Sequence, residues 1–169
     1  MEIKNSTIAD IDEIFRLYDI AINYQKLKGA VPWAGLTRSL VEKEISEKRQ
    51  WKLIIDNSIA CVWVTTFTDP LIWGERNNDP CVYIHRIATD TDFRGRNLVS
   101  EIVAWAKKHA RSNNKIFIRI DTVGENPKLI EYYQSCGFTF LGLIKLKDTD
   151  GLPKHYDNAT VCLFELRVG

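Results

Sequence analysis

The chain contains 169 residues, with 23 lysine and arginine side chains against 22 aspartate and glutamate side chains. This length is typical of one domain with its own hydrophobic core, so we expect a single domain over residues 1–169. The net charge of +1 excludes the broad basic field with which nucleic-acid-binding proteins contact phosphates, and any anion site is therefore local.

Cysteine spacing and apolar runs exclude further classes. The four cysteines are scattered and form no CxxC pair, and no histidine stands at metal-ligand spacing from them. We therefore predict neither a bound metal nor a disulfide framework. The chain begins without the apolar stretch of a signal peptide, and no run approaches the roughly 18 apolar residues that a membrane helix needs. A cytoplasmic protein without a membrane partner is the expectation.

The first part of the sequence predicts two helices after a short initial strand. Asp10 followed by Glu13 forms a capping pair for the first helix, and apolar residues recur behind it at helical spacing. These apolar residues are Ile11, Ile14, Phe15, Tyr18 and Ile22. A second helix follows Thr37.

Three strands and a loop are predicted next. Segments 51–56 and 58–68 are rich in β-branched and aromatic residues and flank a short polar turn, so they predict a hairpin. Segment 81–89 predicts a further strand. The stretch 69–80 predicts an exposed loop, in which Trp73 is a candidate lid or ligand contact.

The run from Ile87 to Val99 is the most informative part of the sequence. It leaves a strand through a turn and enters an amphipathic helix. Phosphate binds well at such a place, because the unpaired N–H groups and the positive end of the helix dipole point at the same spot. Arg94 and Arg96 add two charges suited to the oxygens of a diphosphate. The sequence therefore predicts a local phosphate site.

The remainder of the chain predicts three strands and one short helix. Isoleucines alternate over 115–121 at the period of a strand. Asn126 and Pro127 supply the N-cap and first residue of a helix that Gly137 ends. The last two strands are 138–147 and 160–168. The whole order predicts an α/β (α+β) fold, a mixed sheet with helices on its faces.

That order and two motifs resemble the GNAT superfamily of N-acetyltransferases over nearly the whole chain. The run Arg94-Gly-Arg-Asn-Leu-Val99 resembles the family's diphosphate signature, Gln/Arg-x-x-Gly-x-Gly/Ala. Asn97 and Val99 stand where the signature has small residues. Asparagine tolerates a left-handed backbone, so we expect Asn97 to preserve the turn and the larger Val99 to narrow the approach to the phosphate.

The second motif is Asn126, then Tyr133, then Gly137-Phe138, which reproduces the family pattern Asn…Tyr-x-x-x-Gly-Phe. The resemblance implies a mostly antiparallel sheet with a splay between the fourth and fifth strands, where the pantetheine arm of acetyl-CoA lies. In that arrangement the backbone of Ile87 and Thr89 and the side chain of Asn126 hold the arm. The donor-binding residues implied are Ile87, Ala88, Thr89, Arg94, Gly95, Arg96, Asn97, Leu98, Val99, Asn126 and Tyr133.

The resemblance also implies direct transfer of an acetyl group to a primary amine in a ternary complex. This reaction needs a proton for the departing thiolate. Tyr133 matches the family's general acid in position. The alternative is a tyrosine whose ring packs on the sheet, because Leu129, Ile130 and Tyr133 also form an apolar helical stripe.

Two residues are candidates for the base that deprotonates the amine. His85 precedes the phosphate turn, and an imidazole suits proton transfer near neutral pH, although a hydrogen-bonded strand histidine fits equally. Asp121 matches the position of a catalytic Glu in some ribosomal-protein acetyltransferases, but an ion pair with Arg119 or a turn cap is the favoured explanation. Arg86 faces the opposite side of a regular strand from His85 and is assigned a structural role.

The acceptor pocket is expected from the first helix pair and the loop before the last strand. Its candidates, which fit equally as core or interface residues, are Tyr24, Trp33, His155 and Tyr156. The acceptor is a small-molecule or peptide amine, and a homodimer is left open. A non-catalytic sensor that binds CoA or acyl-CoA is the competing function, favoured by Asn97 and Val99. A nucleic-acid partner is not expected, because the helix dipole explains the basic cluster at one helix end.

Overall fold

The computed structural model describes residues 1–169, in which seven strands and five α-helices follow one another. The strands are β1 (Glu2–Asn5), β2 (Gln50–Ile55), β3 (Ser58–Thr66), β4 (Cys81–Thr89), β5 (Phe117–Val123), β6 (Thr139–Lys145) and β7 (Thr160–Arg167). The helices are α1 (Ile11–Leu27), α2 (Arg38–Ser46), α3 (Pro70–Trp73), α4 (Leu98–Ser112) and α5 (Pro127–Ser135). Every predicted element is present, and α3 is an addition to them.

The seven strands form one sheet in the order β1-β2-β3-β4-β5-β7-β6. β4 and β5 run parallel, whereas the pairs β1–β2, β2–β3, β5–β7 and β6–β7 run antiparallel. The pairing of β4 with β5 extends from Cys81 opposite Phe117 to Ile84 opposite Ile120 and ends there, although both strands continue. The predicted mixed, mostly antiparallel sheet with a splay between its fourth and fifth strands is confirmed.

The chain divides into two compact units, each with a buried hydrophobic cluster. The first unit contains Met1–Thr65 and His85–Leu98. The second unit contains Thr66–Ile84 and Val99–Gly169. None of the helices combines the length and the apolar character needed to cross a membrane.

In the first unit, α1 and α2 bury their apolar faces in a common cluster. Thr37 caps α2 as predicted, because its hydroxyl accepts a hydrogen bond from the Leu40 amide at 3.2 Å. The predicted capping role of Asp10 on α1 is wrong, since its side chain caps no amide of that helix. Asp10 instead accepts hydrogen bonds from the Thr7 amide and the Lys52 ammonium group, each at 2.6 Å.

The hairpin of β2 and β3 in the first unit is confirmed by its turn geometry. Asp56 and Asn57 have φ values of 49° and 64°. Positive φ at both central residues is the requirement of a type I′ turn, whose twist matches that of the flanking strands. Ile55 and Ser58 accordingly face each other in the register of the hairpin.

In the second unit, β5 carries a fully buried arginine between its isoleucines. Arg119 is only 1% exposed. It donates hydrogen bonds to Glu165 at 2.8 Å and to the Arg76 carbonyl oxygen at 2.5 Å, and it forms an ion pair with Asp79. Burial lowers the pKa of Arg119, but its hydrogen bonds to Asp79 and Glu165 outweigh burial and raise the pKa, so the guanidinium stays charged.

The prediction of an exposed loop over 69–80 is wrong at its start. Pro70–Trp73 form α3, with the proline at a helix N-terminal position where its missing N–H costs nothing. Trp73 is 4% exposed, and its ring centre lies 5.7 Å from that of Tyr83. Trp73 is therefore a core residue of the second unit rather than a lid. Most of the residues after Trp73 are polar, so the composition of 69–80 predicts a loop although Pro70–Trp73 form a short apolar helix.

The short helix α5 begins and ends as predicted. The Asn126 side chain accepts a hydrogen bond from the Leu129 amide at 3.2 Å, and Pro127 is the first helical residue. Gly137 has a φ of 96°, which only glycine adopts at low cost, and it ends the helix.

Candidate functional site

The turn before α4 presents exposed backbone beside two arginines. Gly95 and Asn97 adopt left-handed φ values of 78° and 53°. Asn97 therefore has the conformation that the sequence predicts for it. A Cβ atom added at Gly95 would meet nothing within 4 Å, so a ligand can approach this backbone closely. Helix α4 starts at Leu98, directly after the turn.

The first two residues of α4 are buried, unlike the exposed residues 94–97 before them. Leu98 is 6% exposed and Val99 is 8% exposed. The branched side chain of Val99 is therefore enclosed by protein and does not stand on the exposed surface of the turn. This burial argues against the expected narrowing of the approach to a phosphate.

Both arginines of the turn rest on aromatic rings. The Arg94 Cζ lies 4.2 Å from the centre of the Tyr24 ring, and the Arg96 Cζ lies 4.9 Å from the centre of the Phe93 ring. Neither guanidinium forms an ion pair or donates a side-chain hydrogen bond within the chain. The π-face of each arginine is thus used, while its N–H donors remain available to an anion.

Asp90, four residues before Arg94, forms an ion pair with another residue. Asp90 pairs with Arg16 and accepts a hydrogen bond from the Asp92 amide at 2.9 Å. Burial raises the pKa of Asp90, but the two hydrogen bonds and the charges of Arg16 and Arg94 outweigh burial and lower the pKa. Arg16 also pairs with Glu13, so two carboxylates share this cation. Arg94 therefore contributes to the charge around Asp90 without forming an ion pair with it.

β4 loses its β5 partner at the point where its backbone becomes irregular. Pairing with β5 ends at Ile84, and Arg86 has a φ of 52°, which is rare for a residue with a side chain. The backbone groups of Ile87 and Thr89, which were predicted to hold the pantetheine arm, have no pairing partner on β5. Ala88 between them is buried in the first unit.

The irregular residue of β4 is anchored by a buried ion pair. Arg86 donates two hydrogen bonds to the carboxylate of Glu44 on α2, and its Cζ lies 5.7 Å from the centre of the Tyr18 ring. Burial lowers the pKa of Arg86, but Tyr18 and Glu44 outweigh burial and raise it. The structural role predicted for Arg86 agrees with these contacts, although the strand around it is not the regular strand assumed.

Tyr133 is presented by α5 and is 8% exposed. Its ring centre lies 5.0 Å from that of Phe164 and 5.9 Å from that of Phe138. The packing expected by the alternative interpretation is therefore present. The same contacts hold the ring in one orientation, which a proton donor also requires, so the role of general acid stays a prediction.

The two candidate bases are both half-buried strand residues. His85 is half-buried on β4, directly before Arg86. Asp121 is half-buried on β5, and its Oδ2 accepts a hydrogen bond from the Tyr156 hydroxyl at 2.7 Å. The predicted ion pair of Asp121 with Arg119 is wrong, because Arg119 pairs with Asp79 and Glu165 instead. Neither catalytic assignment is tested by these contacts.

The four acceptor candidates fall into two settings. Trp33, His155 and Tyr156 pack within their units: Trp33 lies edge-on to Tyr18 with ring centres 5.9 Å apart, and the rings of His155 and Tyr156 are 4.5 Å apart. Tyr24 is 44% exposed and contacts Arg94. The structure therefore brings Tyr24 to the turn before α4, a contact that no sequence pattern predicts.

Sequence reasoning also missed Phe93 and Lys28. Phe93 supports Arg96, and the Lys28 Nζ lies 5.6 Å from the centre of the Tyr24 ring. The signal for Lys28 was its position four residues after Tyr24, which places both side chains on one side of a helix. Phe93 directly precedes the signature and gives no spacing pattern of its own.

Comparisons with known proteins agree on one family. Residues 40–138, which include the turn and α5, match the model of the acetyltransferase (GNAT) family. The uncharacterized N-acetyltransferase YesJ of Bacillus subtilis (strain 168) is 24% identical over 160 residues, which cover 83% of this chain and 89% of that protein.

Solved structures have the same fold. An acetyltransferase of the GNAT family from Listeria monocytogenes 4b F2365 superposes with a TM-score of 0.77 and 20% identity, over 98% of this chain and 94% of that chain. The ribosomal-protein-S18-alanine N-acetyltransferase from Escherichia coli superposes with a TM-score of 0.67 and 15% identity, over 99% of this chain and 94% of that chain.

Proposed function

Because the chain belongs to the acetyltransferase (GNAT) family, we propose that it transfers an acetyl group from acetyl-CoA directly to a primary amine, with residues 1–169 acting as one catalytic domain. The observation that carries the proposal is the exposed turn before α4. Its left-handed Gly95 and Asn97 open the backbone, and the donors of Arg94 and Arg96 have no partner in the chain. A diphosphate, which CoA contains, suits this combination of charge and N–H donors.

The part of β4 beyond Ile84, which does not pair with β5, is a suitable binding edge for the pantetheine arm. An extended ligand with amide groups can pair with a strand edge as an added strand would. The backbone of Ile87 and Thr89, beyond the last pair of β4 with β5, offers such an edge. We assign Asn126 to the same arm through its side-chain NH₂ group, since its side-chain oxygen already caps α5.

The proposed reaction joins the amine nitrogen to the acetyl carbonyl carbon and breaks the bond from that carbon to sulfur. The departing thiolate takes a proton from the Tyr133 hydroxyl, and a base removes the proton that the amine loses. His85 is the preferred base, because an imidazole exchanges protons readily near neutral pH. Asp121 is the second candidate, but its carboxylate already accepts a hydrogen bond from Tyr156.

The acceptor is proposed to be a primary amine of a small molecule or of a peptide. The structural neighbour from Escherichia coli is by name a ribosomal-protein-S18-alanine N-acetyltransferase, so this fold accommodates a protein acceptor. One scaffold carries many specificities, and the acceptor therefore has to be found by assay. Trp33, His155 and Tyr156 are the residues assigned to acceptor recognition.

The reaction is tested by mixing the chain with acetyl-CoA and a panel of amines: polyamines, free amino acids, and peptides with a free N-terminus or lysine. Released CoA and acetylated amine are separated by chromatography, because the partly exposed thiol of Cys136 would react with a thiol reagent. We expect equal amounts of both products with at least one amine. Binding of acetyl-CoA without products from any amine would instead support the sensor function.

A further inference from the structure

The exposed ring of Tyr24, at the end of α1, contacts two cationic side chains, one of which belongs to the turn before α4. Tyr24 lies in the last turn of α1, and the Arg94 Cζ stands 4.2 Å from the centre of its ring. Lys28, which directly follows α1, places its Nζ 5.6 Å from the centre of the same ring. All three residues belong to the first unit of the chain.

The contact restrains Arg94 without using its donors. A guanidinium has five N–H groups in its plane, and an aromatic ring is contacted through its π-face. No oxygen of the chain accepts a hydrogen bond from the Arg94 side chain, so the Tyr24 contact leaves those N–H groups available. An exposed arginine normally loses rotamer freedom when it binds an anion. Arg94 has lost part of that freedom before a ligand arrives.

The second cation points to an anionic ligand. Lys28 and Arg94 contact one ring, and two positive charges at one exposed ring favour an anionic ligand. No carboxylate of the chain forms an ion pair with either of them. An anion bound beside the turn would be attracted by both charges, as an uncharged ligand would not.

We propose that Tyr24 is a positioning residue of the donor site, which holds the Arg94 guanidinium in place for the diphosphate of CoA. Lys28 adds a further positive charge at the same place. The inference rests on the proposed function, and it assigns Tyr24 to the donor rather than to the acceptor pocket. Cation–π contacts at exposed sites are modest, so the expected effect is a several-fold change in affinity.

The test is calorimetric titration of four forms of the chain with CoA and with dephospho-CoA, which retains the diphosphate but lacks the 3′-phosphate. The forms are the unaltered chain, Tyr24→Phe, Tyr24→Leu and Lys28→Gln. We expect Tyr24→Leu to weaken the binding of both ligands by the same factor, about three- to fivefold. Tyr24→Phe keeps the ring and should stay within about twofold of the unaltered chain. Lys28→Gln should weaken both ligands less than Tyr24→Leu does.

A double variant separates positioning from a general structural effect. If Tyr24 acts through Arg94, the change Tyr24→Leu should cost less than about twofold when Arg94→Gln is already present. Full additivity of the two changes would overturn the proposal. So would unchanged affinity of Tyr24→Leu, a Tyr24→Phe variant as weak as Tyr24→Leu, or a loss confined to CoA. Failure of the unaltered chain to bind either ligand would overturn the proposed function itself, and this inference with it.

Discussion

Arg86 and Arg94 lie near each other in the sequence but in opposite settings. Arg86 is enclosed, and one of its terminal NH₂ groups donates to both oxygens of the Glu44 carboxylate. Arg94 is exposed and rests on the Tyr24 ring, and its donors have no partner in the chain. A buried charge must be paired to be tolerated, whereas a charge that binds a ligand must keep its donors available. The first arginine should therefore control stability, and the second should control binding.

The largest effect is expected from breaking the buried pair. The change Arg86→Met leaves the Glu44 carboxylate enclosed without its cation, which should lower the free energy of unfolding by about 3–5 kcal/mol. Urea unfolding followed by circular dichroism measures this loss. The double variant Arg86→Met with Glu44→Leu removes the stranded charge and should recover much of the loss. A single variant that loses less than about 1 kcal/mol would contradict the structural role of the pair.

Tyr133 combines the two settings, because its ring is buried and its hydroxyl is proposed to donate a proton. Tyr133→Phe keeps the ring contacts with Phe138 and Phe164 but removes the proton donor. Turnover should fall about a hundredfold or more, which corresponds to about 2.7 kcal/mol, while affinity for acetyl-CoA and stability stay the same. The matched control is Tyr132→Phe on the same helix. Equal turnover of the two variants would remove Tyr133 from the mechanism.

The exposed arginine should show the opposite pattern to Arg86. Arg94→Gln should weaken the binding of acetyl-CoA about tenfold, because one charge-assisted contact to the diphosphate is lost. The urea midpoint should not move. Titrations at low and high salt provide a second readout, since the variant should depend less on salt. Arg167→Gln, at an exposed position on β7, is the control. A destabilised Arg94→Gln variant with unchanged affinity for acetyl-CoA would contradict the assignment of Arg94 to binding.

The smallest expected effect is on the pH dependence of stability, through the partly buried ion pair of Asp10 and Lys52. Burial raises the pKa of Asp10, but the hydrogen bonds from Lys52 and Thr7 outweigh burial and lower it below 3.8. The stability that this provides is present above the unfolded pKa and is lost as pH falls through the folded pKa. Unfolding measured between pH 5 and about pH 2 should show a shallower loss for Lys52→Met than for the unaltered chain. The exposed pair of Lys4 with Glu2 supplies the control Lys4→Met, and equal slopes for all three would contradict the assignment.

The features that the sequence predicted correctly depend on neighbours along the chain. The turn of Asp56 and Asn57 and the cap of Asn126 are set by backbone conformation and by side chains within a few residues. The left-handed conformation of Asn97 at the candidate site follows from the same local preference. Such features do not require knowledge of the register of the sheet.

The features that were missed depend on residues far apart in the sequence. The partners of Arg119 come from β7 and from the segment after α3, and the sequence pattern assigned it to Asp121 because that residue is close along the chain. The contact of Tyr24 with Arg94 likewise depends on how the end of α1 lies against the turn. Helical spacing predicts that the Tyr24 side chain is exposed, but not which charged side chain contacts its ring.

The most direct test of the account is calorimetric titration of the unaltered chain with acetyl-CoA, beside the Arg94→Gln variant. The account predicts saturable binding of one acetyl-CoA per chain, and about tenfold weaker binding by the variant with no loss of stability. No binding by the unaltered chain at concentrations up to about 1 mM, the upper end of usual substrate affinities, would contradict the assignment of the turn before α4 as a donor site.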